Sequence, residues 1–251
     1  MPRVFVSSAN ISAGIVSIEG PDAHHLGTVL RLAPGGTIVA VDELGREHTA
    51  MVESVRRGLL TAHIVSTQAP DVEPRTRIWL AQGVGRGRRM TLVVQKCTEL
   101  GVGVIIPMVT ERVVPELDDA KGRQRQERWQ RVATEAAKQS HRGMVPEVRP
   151  VVPFEAALEE LSRLDLCLLF SELEQRRTLR EVLGGGIRAN ALGMLIGPEG
   201  GFTLRELDIA IEAGAVPVTL GPRILRTETA ALAAVSICLY ELGEMGERRK
   251  T

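Results

Sequence analysis

Two short stretches combine residue types suited to holding a small molecule. The first, Gly197-Pro198-Glu199-Gly200-Gly201-Phe202-Thr203, follows the apolar run Leu195-Ile196. Glycine lets backbone approach a ligand closely with its N–H groups exposed. Thr203, with Glu206 three residues on, makes a capping box, so a helix should begin where this loop ends. The second is Leu220-Gly221-Pro222-Arg223-Ile224-Leu225-Arg226-Thr227-Glu228-Thr229-Ala230: a Gly-Pro turn, two arginines, then a helix start rich in Thr and Glu. Each loop alone is equally readable as an ordinary turn before a capped helix. Two of them at neighbouring strand ends argue for a ligand site. Neither carries the G-x-G-x-x-G order of a dinucleotide fold, and no GK[ST] of a phosphate loop occurs. Gly83-Val84-Gly85-Arg86-Gly87 resembles half of a dinucleotide motif but lacks the third glycine at the right spacing, and reads as a basic loop.

The elements that must position these loops follow from periodicity. Residues 4–6, 14–18, 37–41, 47–55 and 59–65 read as strands, rich in β-branched residues and bounded by Gly, Asp and Asn. One helix is expected over 21–31, with Pro21 in its first turn. Five strands and a short helix suggest a small β-barrel over residues 1–70. Residues 67–75, with two prolines and no periodicity, read as a linker. Over 75–251 strands and helices alternate. Strands are expected at 77–82, 102–107, 165–170, 192–196 and 216–220, and helices at 88–100, 124–140, 204–213 and 227–242. Alternation of this kind implies an α/β domain with a mostly parallel sheet, whose ligands bind outside the carboxyl ends of the strands.

Composition narrows the function classes. No run of about 18 apolar residues occurs, so no membrane span is expected. The N-terminus lacks a basic segment followed by a long apolar one, and cytoplasmic placement is expected. Cys97, Cys167 and Cys238 are odd in number and far apart, two of them in apolar runs, and read as buried thiols. No spacing of His, Cys, Asp or Glu suggests a metal. Net charge is zero, yet residues 75–150 carry a net of +7. A basic middle third on a neutral chain suggests a patch that meets phosphate; a solvated helix face of mixed charge is the plainer reading of the same residues.

Three stretches together resemble the bacterial RsmE family of SPOUT methyltransferases: Gln95-Lys96-Cys97-Thr98-Glu99-Leu100-Gly101-Val102, Ile196-Gly197-Pro198-Glu199-Gly200-Gly201, and the eleven residues from Leu220 to Ala230. The resemblance covers nearly the whole chain, His24-His25-Leu26 included. It implies an N-terminal PUA-like RNA-binding barrel over 1–70 and a SPOUT domain over 75–251 carrying a deep trefoil knot. It implies a homodimer, S-adenosyl-L-methionine as methyl donor, and methylation of N3 of a uridine in 16S ribosomal RNA, within the assembled 30S subunit. By position it puts Leu195, Ile196, Gly197, Glu199, Gly200 and Gly201 on one cofactor-binding loop. Leu220, Gly221, Ile224, Leu225, Arg226, Thr229 and Ala230 fall on the other. Arg3, Arg31, Arg86, Arg88, Arg89, Arg128 and Arg142 are the expected RNA contacts.

Uracil N3 carries a weakly acidic proton, so the reaction needs an acceptor for it and positive charge near the developing anion. Arg142 and Arg226 are the expected charge stabilisers and Glu228 the proton acceptor, with His141 a second choice. Two other readings stay open: a SPOUT ribose 2′-O-methyltransferase, and a non-catalytic RNA-binding ribosome-assembly protein using the barrel alone.

Overall fold

The computed structural model describes residues 1–56, 58–85, 89–112, 119–184 and 189–246, in two compact units. The first is Met1–Glu73 joined by Ala137–Met144; the second is Pro74–Ala136 with Val145–Thr251.

The first unit is a six-stranded sheet of β1 (Arg3–Phe5), β2 (Ile11–Ser12), β3 (Ile15–Glu19), β4 (Thr37–Val41), β5 (Glu47–Arg56) and β6 (Leu59–Gln68), ordered β1-β4-β5-β6-β3-β2. Only β1–β4 is parallel; the other pairings are antiparallel. Alternating residues point inward, so Ile38, Ala40, Ala50, Val52, Leu60 and Ala62 make a core with Ala23 and Leu26 from the helical segment. The single helix expected over 21–31 is a five-residue α1 (Gly20–His24) followed by a wide turn, His25–Val29. Gly27 on that turn lies against β5, where a Cβ would stand 2.8 Å from Val55 Cγ1. Arg31, at φ 52°, ends it.

Residues 137–144 join this unit through specific contacts. Arg3 Nη2 donates to the Arg142 carbonyl at 2.8 Å, Lys138 pairs with Asp22 at 2.9 Å, and the Gly143 N–H donates to Glu73 at 2.9 Å. Gly45 and Gly143 pack backbone to backbone, a Cβ on either lying within 3.5 Å of the other.

The second unit is built on a sheet whose described pairings are all parallel: β7 (Arg77–Gly83), β8 (Val104–Val109), β9 (Glu147–Val148), β10 (Val152–Pro153), β11 (Leu166–Phe170), β12 (Ala191–Ile196) and β13 (Val216–Val218). The order is β10-β8-β7-β12-β11-β13, with β9 beside β8. Strands buried on both faces read as continuous apolar runs, as Leu-Cys-Leu-Leu-Phe of β11 does. One face packs on α2 (Arg89–Leu100), α3 (Asp119–Gln139), α5 (Leu179–Leu183) and α7 (Thr227–Glu241), the other on α4 (Phe154–Leu161) and α6 (Leu204–Glu212). Four of these elements have no counterpart in the sequence expectations: β9 and β10, two residues each, α5, of five, and α4. The first three are too short for any period to show. α4 does have one, burying Phe154, Ala157, Leu158 and Leu161 at i, i+3, i+4 and i+7.

All three cysteines are buried. Burial pushes each thiol up to about 12, so none is a nucleophile near neutral pH.

Candidate functional site: a cavity at the carboxyl edge of the parallel sheet

β12 lies in the middle of the sheet, between β7 and β11, and its carboxyl end opens into the first glycine loop. The end of β13 opens into the second. A cavity of about 600 Å³ lies where they meet. Its floor is Phe170, Ile196 and Val218, from the ends of three strands.

The loops are fixed by polar contacts beneath them. Gln82, buried at the end of β7, donates from Nε2 to Thr227 Oγ1 at 2.8 Å, and that hydroxyl donates to the Gly197 carbonyl at 2.6 Å. The order of donors assigns the amide: Thr227 spends its proton on Gly197, so Gln82 must present nitrogen to it. The predicted capping box is formed. Thr203 Oγ1 accepts from the Glu206 N–H at 3.2 Å and Glu206 Oε2 accepts from the Thr203 N–H at 2.8 Å. Buried Glu206 also accepts the Glu111 N–H at 2.9 Å, tying the chain after β8 to the start of α6.

Gly83 and Gly85, read from sequence as part of a basic loop, serve packing. A Cβ on Gly83 would overlap the Pro198 backbone nitrogen, and one on Gly85 would overlap the Glu199 carboxylate. The end of β7 therefore lies flush against the first loop.

Of the residues assigned to the two loops, Ile196, Gly197, Glu199, Gly201, Leu220, Gly221, Ile224, Leu225, Arg226 and Ala230 line the cavity. Leu195 points to the opposite face of the sheet and is fully buried with α4 and α6. The Gly200 carbonyl is held by Arg112 Nη1, and Thr229 lies on α7 away from the lining. Gly221, at φ +100°, lines the cavity with open space where a Cβ would stand, so its absent side chain leaves room for a ligand.

Sequence reasoning missed a third wall. Ser171, Glu172 and Leu173 after β11 and Arg112 after β8 also line the cavity. No motif marks them, and only the sheet order brings them near the first loop, with β11 next to β12 and β8 one strand further off, beyond β7.

Arg89 lines the cavity too. Its Nη1 pairs with Glu199 of the first loop, and its Nε lies 3.7 Å from Glu228 Oε2 at the start of α7. An expected RNA contact thus sits between Glu199 of the cavity wall and Glu228, which is not among the residues lining the cavity. Glu228 is mostly buried, and its Oε2 has no hydrogen bond among the described residues. Arg226 is the N-cap residue of α7 and faces the cavity.

Arg142 belongs to the first unit. It is 4% exposed, and its guanidinium is taken up by Glu73, with Nη2 at 2.6 Å. Arg3 is likewise inside, pairing with Glu47 at 2.7 Å. Their charge is engaged within the protein, unlike that of Arg31 and Arg128, which are exposed. Arg86 and Arg88 lie outside the described residues.

The RNA methyltransferase domain family matches residues 72–239, and the RNA methyltransferase PUA domain family matches residues 18–65. The ribosomal RNA small subunit methyltransferase E of Bacillus subtilis is 33% identical over 229 residues, covering 90% of either chain. The crystal structure of the same enzyme from Neisseria gonorrhoeae, bound to S-adenosyl methionine, is 35% identical with a TM-score of 0.84, covering 96% of this chain and 97% of that one. A Legionella pneumophila methyltransferase in complex with the same cofactor is 30% identical with a TM-score of 0.86, covering 95% and 96%. The chain belongs to the ribosomal RNA small subunit methyltransferase E family.

Proposed function

We propose that this protein transfers a methyl group from S-adenosyl-L-methionine to N3 of a uridine in 16S ribosomal RNA, acting on the assembled 30S subunit. The observation that carries the reading is the joining of both glycine loops over one cavity, through Gln82, Thr227 and Gly197. The cavity fits the cofactor. Its size suits a small ligand, Gly221 leaves open space on its wall, and apolar Leu220, Ile224 and Leu225 flank that space as they would a purine. Gly197, Gly201 and Gly221 would present backbone to it.

When bound, S-adenosylmethionine supplies an electrophilic methyl group. The chain's own residues prepare the acceptor. Glu228, beside Arg89 at the start of α7, is the acceptor for the N3 proton; it is not among the residues lining the cavity and its Oε2 is buried, so the carboxylate would have to turn toward the uracil to take the proton. Arg226 stands at the cavity wall to hold the negative charge that spreads onto the uracil oxygens. Arg142 has the same role by family resemblance, and to play it the guanidinium would have to leave Glu73. N3 lies on the pairing edge, so the uridine must be unpaired, at a cost of a few kcal/mol if it is stacked.

The same reading divides the chain into an RNA-binding PUA-like barrel, residues 1–70, and a SPOUT domain, residues 75–251, with the two glycine loops in a trefoil knot. Homodimerisation is supported by α7. Apolar residues lie all round it, and Ile237 and Tyr240 stay exposed, as does Leu92 on the neighbouring α2. Of the arginines expected to contact RNA, Arg31 and Arg128 are exposed among the described residues and available to RNA phosphates.

The test is an incubation of the protein with labelled S-adenosylmethionine and small subunits lacking the modification, followed by nucleoside mass spectrometry. 3-Methyluridine is expected. A ribose-methylated nucleoside would overturn the base-directed reading, and absence of transfer together with absence of cofactor binding would leave an RNA-binding protein.

A further inference from the structure

Two charged residues outside both glycine motifs belong to the cavity lining. These are Arg112 and Glu172, from the segments after β8 and β11, and both are exposed. They converge on Gly201, where a Cβ would stand 3.4 Å from Glu172 Oε1 and 3.9 Å from Arg112 Nη1. Arg112 Nη1 donates to the Gly200 carbonyl. A guanidinium has further N–H donors in the same plane, arranged to grip a carboxylate. Among the described residues no ion pair joins Glu172 to Arg112 or to any other cation. Two opposite charges directed at one glycine, and not spent on each other, present an acceptor and a donor to the same ligand. Val218, Leu220, Ile224 and Leu225 add apolar surface to the lining, alongside Thr219, Arg223 and Arg226.

We propose that Glu172 and Arg112 form a subsite for an amino-acid zwitterion, Glu172 taking the α-ammonium and Arg112 the α-carboxylate. The proposal rests on the reading that the cavity holds S-adenosylmethionine, a molecule with a flat purine at one end and an ammonium–carboxylate pair at the other. The lining offers that molecule both apolar surface and an oppositely charged pair. The subsite is neutral overall, as the zwitterion is, so the match is one of placed charges and not of net attraction.

The test compares two ligands by calorimetry: S-adenosylmethionine, and 5′-methylthioadenosine, which keeps the purine, the ribose and the methylated sulfur, as a neutral thioether in place of the sulfonium, but has no amino-acid end. Glu172→Gln and Arg112→Gln are each expected to weaken S-adenosylmethionine binding about tenfold, equal to 1.4 kcal/mol, and to leave methylthioadenosine affinity unchanged. Glu172→Asp should restore part of the loss. Because both side chains are exposed, the variants should melt with the wild type. Equal weakening of both ligands would overturn the proposal, assigning the pair to loop shape. So would unchanged binding of both, which would put the amino-acid end elsewhere. A wild-type protein that binds neither ligand would overturn the cofactor reading itself, a result distinct from either of these.

Discussion

The Thr227 hydroxyl donates a 2.6 Å hydrogen bond to the Gly197 carbonyl, joining the first residue of α7 to the first residue of the loop after β12. They stand thirty positions apart in the chain, with all of α6 and β13 between them. With Gln82 as third partner, the bond closes the two cavity loops on the end of β7. Thr227→Val keeps the shape but removes the hydroxyl, leaving the Gly197 carbonyl and the Gln82 amide buried without it. The expected loss is about 2 kcal/mol, with a fall in melting temperature of roughly 4–8 °C. Thr227→Ser should melt near the wild type. Thermal unfolding of the three proteins checks this.

Gly83 and Gly85 should tolerate alanine unequally. At Gly83 a new Cβ meets backbone, the Pro198 nitrogen, which cannot move without shifting the loop. At Gly85 it meets the end of the Glu199 side chain, which can rotate away. Gly83→Ala should destabilise by about 1–3 kcal/mol and weaken cofactor binding; Gly85→Ala should do less of both. Denaturant titration and calorimetry measure the two effects, and the reverse order would contradict the packing argument.

Glu228→Gln is nearly isosteric and removes the proposed proton acceptor. Single-turnover methylation should fall by about 10²–10⁴-fold, the usual contribution of a general base, while affinity for S-adenosylmethionine stays close to that of the wild type. Turnover that survives the substitution would remove Glu228 from the mechanism and leave solvent or another group to take the proton.

Arg31 and Arg128 should each contribute to ribosomal RNA affinity through phosphate, with a matching change in salt dependence. Replacing either by glutamine should flatten the slope of log affinity against log salt by about one. Filter binding across a salt series reads this directly, and an unchanged slope would place those arginines off the RNA.

The first unit contains its own acid-sensitive contact. Burial would by itself raise the Asp42 carboxyl, but hydrogen bonds from the Arg46 and His48 side chains and from the Arg46 and Leu44 N–H groups outweigh it and hold the group at about 2, below its ordinary 3.8. A depressed carboxylate stabilises the fold fully above its unfolded value. That stability, about 2 kcal/mol, should be lost as pH falls from about 4 through about 2. Urea midpoints followed across that window should drop for the wild type, and Asp42→Asn should start lower and change less.

The sequence by itself determined the local pieces. Continuous apolar runs named the buried parallel strands, Thr203 with Glu206 named the start of α6, and the eleven residues from Leu220 to Ala230 carried the family. These features are legible because each depends on neighbours along the chain. What depends on neighbours across the sheet was decided by the tertiary structure alone. Sheet order sets β12 between β7 and β11, and this brings Arg112 and Glu172 to the wall of a cavity whose motifs lie elsewhere. Close backbone packing explains Gly83, which resembled part of a nucleotide loop. The fold also gave the arginines different roles: Arg3 and Arg142 are paired inside the first unit, Arg89 lies between Glu199 and Glu228, and Arg31 and Arg128 face solvent. Residue type specifies a positive charge, but only the assembled fold specifies which carboxylate, if any, already holds it.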